Sequence, residues 1–313
     1  MTVAIQTEKL SRRFGRTMAV DQVDVSVPEG AIYALVGANG AGKTSFIKVL
    51  MNIYRPSSGC AQVLGIDSTR LGGRPMRRIG YVSENQEMPD WMTVGQMLDY
   101  FRAFYPEWDR TLQHQLVEQF ELPLKRKVKQ LSRGMRMKAA LVSSLAYRPA
   151  LIMLDEPFSG LDPLVRDELI EGLLERAPET TIFLSSHDLA EIESFSSHVG
   201  YLENGRLLFS EEMSALTDRF RDVRVTLETP SPLPSKFPDG WLQPQMTDRV
   251  IRFVHSNYRA QLTEHELATA FPAARGYSLE PMPLREIFLA VARNGRRNPF
   301  SGSDQASKEE AKA

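Results

Sequence analysis

The chain has 313 residues, of which 42% are hydrophobic, and this length and composition are typical of a folded protein with about two domains. Its 38 Lys and Arg residues balance 39 Asp and Glu residues, so the net charge of -1 gives no general attraction to nucleic acid. The single cysteine, Cys60, cannot form an internal disulfide, and no apolar run approaches the ~18 residues of a membrane span. These totals predict a cytoplasmic protein with no nucleic-acid partner.

The first elements are predicted to be strands. Apolar residues alternate with polar ones at positions 3–7 and 23–27, and the second run ends at Pro28-Glu29-Gly30. This pattern predicts an antiparallel sheet. Residues 31–36 (AIYALV) are apolar on both faces and precede a glycine-rich loop, after which apolar residues recur at helical spacing from Phe46 to Ile53. The order strand, loop, helix follows.

The middle of the chain alternates helical stretches with buried strands. Residues 75–130 contain helical segments and many aromatics, while residues 150–154 (ALIML) and 181–185 (TIFLS) are short apolar runs typical of buried parallel strands. Residues 199–210 predict a hairpin, because Asn204-Gly205 favours a tight two-residue turn.

A second domain is predicted after residue 218. Residues 223–228 and 250–255 have strand patterns, and residues 262–271 and 284–293 have helical ones. We therefore predict domains at 1–218 and 219–293, with a polar tail, 294–313, that is expected to be disordered.

The glycine-rich loop predicts a phosphate-binding site. It matches the pattern G-x-x-x-x-G-K-[ST] between a strand and a helix, with Gly37, Ala38, Asn39, Gly40, Ala41, Gly42, Lys43 and Thr44, followed by Ser45. Glycines allow backbone N–H groups to approach a phosphate chain, and the helix N-terminus adds partial positive charge. Lys43 is expected to reach the terminal phosphates and Thr44 to offer its hydroxyl to Mg²⁺.

Acidic residues and a histidine follow two of the buried strands. Asp155 and Glu156 come after the strand at 150–154, where Asp155 can hold Mg²⁺ and Glu156 can act as general base toward water. His187 follows the strand at 181–185 and is expected at the same edge. Adjacent acids and a lone histidine are more often structural, but their position beside the phosphate loop favours function.

Together these motifs resemble the nucleotide-binding subunit of an ATP-binding-cassette (ABC) transporter, and the resemblance covers residues 1 to about 215. GANGAGKT resembles the Walker A motif, LSRGM (131–135) the signature, LIMLDE the Walker B motif, SGLD (159–162) the D-loop and Ser186-His187 the switch histidine. The resemblance implies an α/β P-loop NTPase core with a parallel sheet, an N-terminal antiparallel β subdomain and a helical subdomain. A small α+β C-terminal domain, more weakly similar to that of bacterial type-2 exporter ATPases, follows.

The resemblance also implies roles for individual residues. Phe14 lies where the family has an aromatic that stacks on adenine, although alone it would be assigned to the core. Ser132, Arg133 and Gly134 of the signature and Asp162 of the D-loop are expected to bind ATP held by a facing subunit, so that two ATP molecules lie between two chains. A homodimer is the default.

Two motifs depart from the usual family sequence. Glu84 stands where a glutamine is usual, with Gln86 two residues further on, and either can sense Mg²⁺. The signature is LSRGM rather than LSGGQ, so Arg133 either strengthens phosphate binding or faces solvent.

The function implied is ATP hydrolysis that drives export through a separate transmembrane permease, with the chain peripheral on the inner face of the membrane. Aromatics between Trp91 and Trp108 either pack in the core or line a groove for a partner helix, and the basic run at 125–138 either is solvated or lies near anionic lipid. Alternatives are a soluble ABC ATPase acting on ribosomes or DNA, and a non-hydrolysing regulatory module, which the presence of Glu156 disfavours.

Overall fold

The computed structural model describes residues 2–229, 237–238 and 240–297, and these fall into two compact units that divide between residues 211 and 212. The first unit contains strands β1 Val3–Phe14, β2 Thr17–Val23, β3 Ser26–Pro28, β4 Ile32–Val36, β5 Ser58–Val63, β6 Ile66–Asp67, β7 Ile79–Ser83, β8 Leu151–Asp155, β9 Thr181–Ser186, β10 His198–Glu203 and β11 Arg206–Glu212. Its helices are α1 Lys43–Leu50, α2 Val94–Arg102, α3 Arg110–Gln119, α4 Arg133–Leu145 and α5 Pro163–Leu174.

The N-terminal strands form the antiparallel sheet that the sequence predicts. Its order is β2-β1-β5-β6, and β3 also pairs with β1. Ile5, Val23 and Val27 of this alternating pattern are fully buried in the core of the unit, whereas Val3 at its start is 36% exposed. The prediction of an antiparallel β subdomain is therefore confirmed.

A six-stranded sheet forms the centre of the first unit, in the order β11-β10-β4-β9-β8-β7. β10, β4, β9, β8 and β7 pair in parallel, and every residue of β4, β8 and β9 is buried, which explains their continuous apolar runs. Asn204 and Gly205 have positive φ angles of 50° and 81°, as the predicted turn between β10 and β11 requires. The carboxyl ends of the parallel strands share one edge.

Helices pack around this sheet and begin at identifiable caps. α1 buries Phe46, Ile47 and Leu50 in the core. The Thr93 side chain caps α2, the Ser132 side chain accepts a hydrogen bond from the amide of Met135 to cap α4, and Asp162 caps α5. The helical region between β7 and β8 is the expected helical subdomain.

The second unit is an α+β domain, as predicted. Its elements are α6 Met213–Arg219, β12 Arg221–Leu227, β13 Trp241–Thr247, β14 Val250–His255, α7 Ala260–Ala270, β15 Ala274–Pro281 and α8 Leu284–Arg297. The strands form an antiparallel sheet in the order β13-β14-β12-β15, whose apolar face packs Val223, Trp241 and Phe253 with Leu267 and Phe271.

Three features of this unit differ from the sequence-based expectation. α6 groups with the second unit, where Arg219 donates to the Ser256 carbonyl oxygen and its own carbonyl accepts from the Tyr258 amide, so the units divide after residue 211 instead of 218. β13 and β15 lack the alternating apolar pattern, and β13 tolerates Pro244 because it is an edge strand. α8 continues to Arg297 rather than ending at 293, since the first proline after it is Pro299. Residues 298–313 of the predicted tail lie outside the described residues.

Candidate nucleotide-binding site

A cavity of about 560 Å³ lies at the carboxyl edge of the parallel sheet. Most of the phosphate loop and two acidic residues line it, together with residues of the first hairpin and of the β10–β11 turn. The lining residues are Thr17, Met18, Ala19, Asn39, Gly40, Ala41, Gly42, Lys43, Thr44, Ser45, Glu84, Glu156 and Asn204. Parallel sheets bind ligands at this edge because the strand ends and helix N-termini converge there.

The glycines of the phosphate loop are required by backbone geometry and by packing. Gly40 and Gly42 have φ angles of 82° and 109°, which residues with a Cβ rarely adopt. A Cβ at Gly42 would overlap the carbonyl oxygen of Ala19, and one at Gly37 would overlap that of Leu202. α1 begins at Lys43, directly after this loop, so its N-terminus points into the cavity edge.

Lys43 is buried within a set of oxygen acceptors. Its Nζ lies 2.5 Å from the Gly37 carbonyl oxygen, 3.2 Å from that of Ala38 and 3.0 Å from Glu156 Oε1. The side chain is only 5% exposed. A carboxylate and two carbonyls therefore hold the ammonium group in the lining of the cavity.

Asp155 and Thr44 bring two oxygen ligands together beneath the loop. Thr44 Oγ1 donates to Asp155 Oδ1 at 3.0 Å, and Ser185 Oγ donates to the same oxygen at 2.8 Å. Burial raises the pKa of the Asp155 carboxyl, and these two hydrogen bonds only partly oppose that effect. A buried carboxylate in this state gains from a cation. Among the described residues, no group of three or more His, Cys, Asp or Glu side chains has the arrangement to hold a metal.

Glu156 and His187 meet at the same edge. His187 Nδ1 lies 2.7 Å from Glu156 Oε2, while the other carboxylate oxygen bonds Lys43. Glu156 has a φ of 53°, a left-handed conformation that is unfavourable for a residue with a side chain. Its amide donates to Ser185 Oγ at 3.0 Å, and this contact helps to hold the backbone in place. Such local strain clusters at functional sites.

Ser185 is a site residue that sequence reasoning missed. It is fully buried at the end of β9 and bonds both Asp155 and the Glu156 amide. The only signal in the sequence was the pair of serines at the end of an otherwise apolar strand. Buried hydroxyls need hydrogen-bond partners, so serines at such positions indicate polar groups nearby.

Glu84 and Gln86 point to different places. Glu84 lines the cavity, and its amide donates to the Asp155 carbonyl oxygen at 3.0 Å. Gln86 turns back on its own loop, where its Oε1 accepts from the Ser83 amide. Glu84 also pairs with Arg133 Nη2. Of the two alternatives, Glu84 is therefore the one at the cavity.

The signature and D-loop residues lie outside this cavity. Ser132 and Asp162 serve as helix caps, and Gly134 packs against Val165, where a Cβ would lie 2.8 Å from the valine Cγ1. Phe14 is likewise absent from the lining. Its ring is 38% exposed, meets Tyr54 edge-on at 5.1 Å and is covered on one face by the Arg12 guanidinium at 4.4 Å.

The fold and cavity define a P-loop nucleotide-binding protein, and comparison with known proteins agrees. The family profile described as ABC transporter matches residues 20–159. The chain is 32% identical over 228 residues to the daunorubicin resistance ATP-binding protein DrrA2 of Streptomyces coeruleorubidus, covering 71% of each chain. It belongs to the ABC transporter ATP-binding proteins and is an ATP-hydrolysing transport subunit.

Solved structures agree on the fold. An ATP-binding subunit of an ABC transporter has a TM-score of 0.63 and 26% identity, covering 69% of this chain and 92% of that one. A dimeric ATP-binding cassette in a post-hydrolysis state, bound to ADP and Pi, has a TM-score of 0.60 and 19% identity over 67% of this chain and 98% of that one. Across the part of the chain that is described, no helix is both long and apolar enough to span a bilayer.

Proposed function

We propose that this subunit binds MgATP between two chains and hydrolyses it to drive export through a separate membrane protein. The observation that carries the proposal is the convergence of Lys43, Thr44, Asp155, Glu156 and His187 at one cavity edge. The loop from Gly37 to Ser45 supplies backbone donors for the phosphates, and Lys43 moves from Glu156 to the terminal phosphates as they enter. Phe14 stacks on adenine once the Arg12 guanidinium moves aside.

Thr44, Asp155 and Glu84 are the residues proposed to hold Mg²⁺. The Thr44 hydroxyl and the buried Asp155 carboxylate are oxygen donors of the kind that Mg²⁺ prefers, and Glu84 lines the same cavity as Thr44. These residues supply no more than three ligands, so the remaining coordination positions of the ion are open to phosphate oxygens and water. The ion would offset phosphate charge during hydrolysis.

Glu156 and His187 are assigned to the hydrolytic step. The Glu156 carboxylate lies next to Lys43 at the cavity, so it is placed to accept a proton from water attacking the last phosphorus atom. His187, bonded to the other oxygen of that carboxylate, orients it and can contact the terminal phosphate.

The signature is proposed to complete the site of a second subunit. Ser132 caps a helix of 13 residues whose N-terminus, with the serine hydroxyl, makes an anion site, yet Ser132 and Gly134 do not line the cavity of their own chain. A facing cassette presents the same surface, so each ATP lies between the phosphate loop of one chain and the signature and Asp162 of the other. The similar cassette that was solved as a dimer bound to ADP and Pi supports the pairing of two cassettes.

An exposed aromatic patch supports a membrane-protein partner. Trp91, Tyr100 and Phe104 in the helical region are 66%, 46% and 53% exposed, whereas Trp108 is buried. The rings of Tyr100 and Phe104 meet edge-on at 5.2 Å, and exposed aromatics of this kind favour a groove for a partner helix. The subunit would then lie on the cytoplasmic face of the membrane, and the relative named for daunorubicin resistance favours export.

A mixture of two inactive variants tests the shared site. Ser132→Arg and Lys43→Ala are each expected to lose ATPase activity. Mixed dimers then contain one site with both lesions and one with neither, so half of the sites in the mixed dimers are intact and activity returns.

The matched control mixes Lys43→Ala with Glu156→Gln. These two residues lie 3.0 Å apart in one chain and serve the same site, so each site of a mixed dimer carries one lesion and no activity should return. Recovery in the control, or none in the test despite subunit exchange shown by mass spectrometry, would contradict a signature that acts across the interface.

A further inference from the structure

Arg133 and Glu84, the two departures from the usual family motifs, form one ion pair although they are 49 positions apart in sequence. Arg133 is the first residue of α4 and stands between Ser132 and Gly134, whereas Glu84 follows β7 and lines the nucleotide cavity. The pair therefore connects the signature of a chain to the cavity of the same chain.

Both partners are held in place by further contacts. The Glu84 amide is fixed by its hydrogen bond to Asp155, at the edge of the parallel sheet. The Arg133 guanidinium lies against Gly160, where a Cβ would come within 2.7 Å of Nη1 and 3.1 Å of Cζ. Gly160 has a φ of 63° and its lack of a side chain leaves the space that the guanidinium fills. The loops that carry Glu84 and Gly160 thus determine where the arginine points.

The charges in the cavity lining indicate that the pair affects nucleotide binding as well as local structure. Lys43 is the only side-chain cation among the described residues that line the cavity, and it already faces Glu156. Glu84 adds a second carboxylate to the lining, and without a partner its charge would repel a nucleotide that carries about four negative charges. A glutamine at this position would bring no such repulsion and would need no arginine.

We propose that Arg133 is a positioning residue that neutralises Glu84 in its own chain and directs its carboxylate at the cavity, so that nucleotide phosphates can enter. This inference rests on the proposed function of the cavity. It assigns Arg133 to the site of its own chain, in place of the phosphate contact in a facing subunit that its signature position implies. The effect of Arg133 on nucleotide affinity should then depend on the carboxylate of Glu84.

A double-mutant cycle tests that dependence. Parent, Arg133→Ala, Glu84→Gln and the double variant are titrated with N-methylanthraniloyl-ATP in EDTA, which prevents hydrolysis. Arg133→Ala should weaken binding about two- to fivefold, the range expected for a pair this exposed. In the Glu84→Gln background the same change should leave affinity unaltered. Arg133→Lys should retain most of the parent's affinity, and raising the salt concentration should shrink the effect.

Lys129→Ala is the matched control, because it removes one exposed positive charge from the same basic run and should not change affinity. Circular dichroism and light scattering establish that all variants are folded and in which oligomeric state. An equal loss in both backgrounds would overturn the inference and favour contact with a second subunit. No loss in either background would also overturn it. A folded parent that fails to bind the nucleotide would refute the proposed function itself, and the inference with it.

Discussion

Gly134→Ala tests why the signature contains a glycine at this position. A Cβ at residue 134 would lie 2.8 Å from Val165 Cγ1 and 3.4 Å from Cγ2, and the three nearest atoms to it all belong to that valine. Comfortable carbon–carbon contact needs about 3.5–4.0 Å, so the start of α4 must move by roughly 1 Å. Ser132 and the amide of residue 134 would move with it.

The size of each effect follows from this overlap. Overpacking costs about 2 kcal/mol, and replacing a helical glycine by alanine returns up to about 1 kcal/mol. The net loss of about 1 kcal/mol should lower Tm by about 3 °C. A displacement of about 1 Å at a phosphate contact can lower turnover about a hundredfold, so the ATPase activity should fall much more than the stability.

Val165→Ala provides the compensating change. The smaller side chain removes the methyl groups that the new Cβ would meet, so the Gly134→Ala/Val165→Ala double variant should regain ATPase activity as well as the packing. Melting followed by circular dichroism and steady-state ATPase assays measure both, with Val165→Ala alone as the reference. A double variant that melts like its reference but stays inactive would refute the reasoning, because the added methyl group would then obstruct the nucleotide directly.

Three further predictions concern the cavity. Lys43→Ala should abolish nucleotide binding in fluorescence titrations, because the lining would lose its side-chain cation, and unchanged ATPase activity would contradict the site assignment. Glu156→Gln should bind ATP and lose hydrolysis, since an amide cannot accept a proton from water, and turnover within a few-fold of the parent would require another base. Asp155→Asn should melt above the parent in EDTA at neutral pH. Burial raises the Asp155 pKa, so its ionisation costs folding free energy as pH rises through that pKa, and the difference should therefore disappear in acid.

The sequence predicts this site well because the reactive side chains come directly after recognisable strands. Asp155 and His187 each follow a continuously apolar run, and runs of that kind become adjacent parallel strands whose carboxyl ends meet. The phosphate loop can be predicted for the same reason, because the spacing of its glycines and lysine within one short segment identifies the connection from β4 to α1. Neither feature depends on knowing which distant side chains touch.

Long-range side-chain contacts could not be predicted in the same way. The pair between Arg133 and Glu84 depends on how α4 lies against β7, and the bond from Ser185 to Asp155 depends on strand register. In the second unit, β13 and β15 form because β12 and β14 offer backbone partners, so their own sequences carry little signal. In each case the deciding partner lies far away along the chain.

The contacts of Lys43 give the Glu156→Gln prediction a second part. Without nucleotide, the lysine expected to bind phosphate is held by the carboxylate expected to act as base, at 3.0 Å and with both side chains largely buried. Entering phosphates must therefore take Lys43 from Glu156, and the same step frees the carboxylate to accept a proton. Glutamine holds Lys43 less strongly because it lacks the charge. Glu156→Gln should consequently bind ATP more tightly than the parent in EDTA, where hydrolysis does not contribute, and weaker binding would contradict this competition.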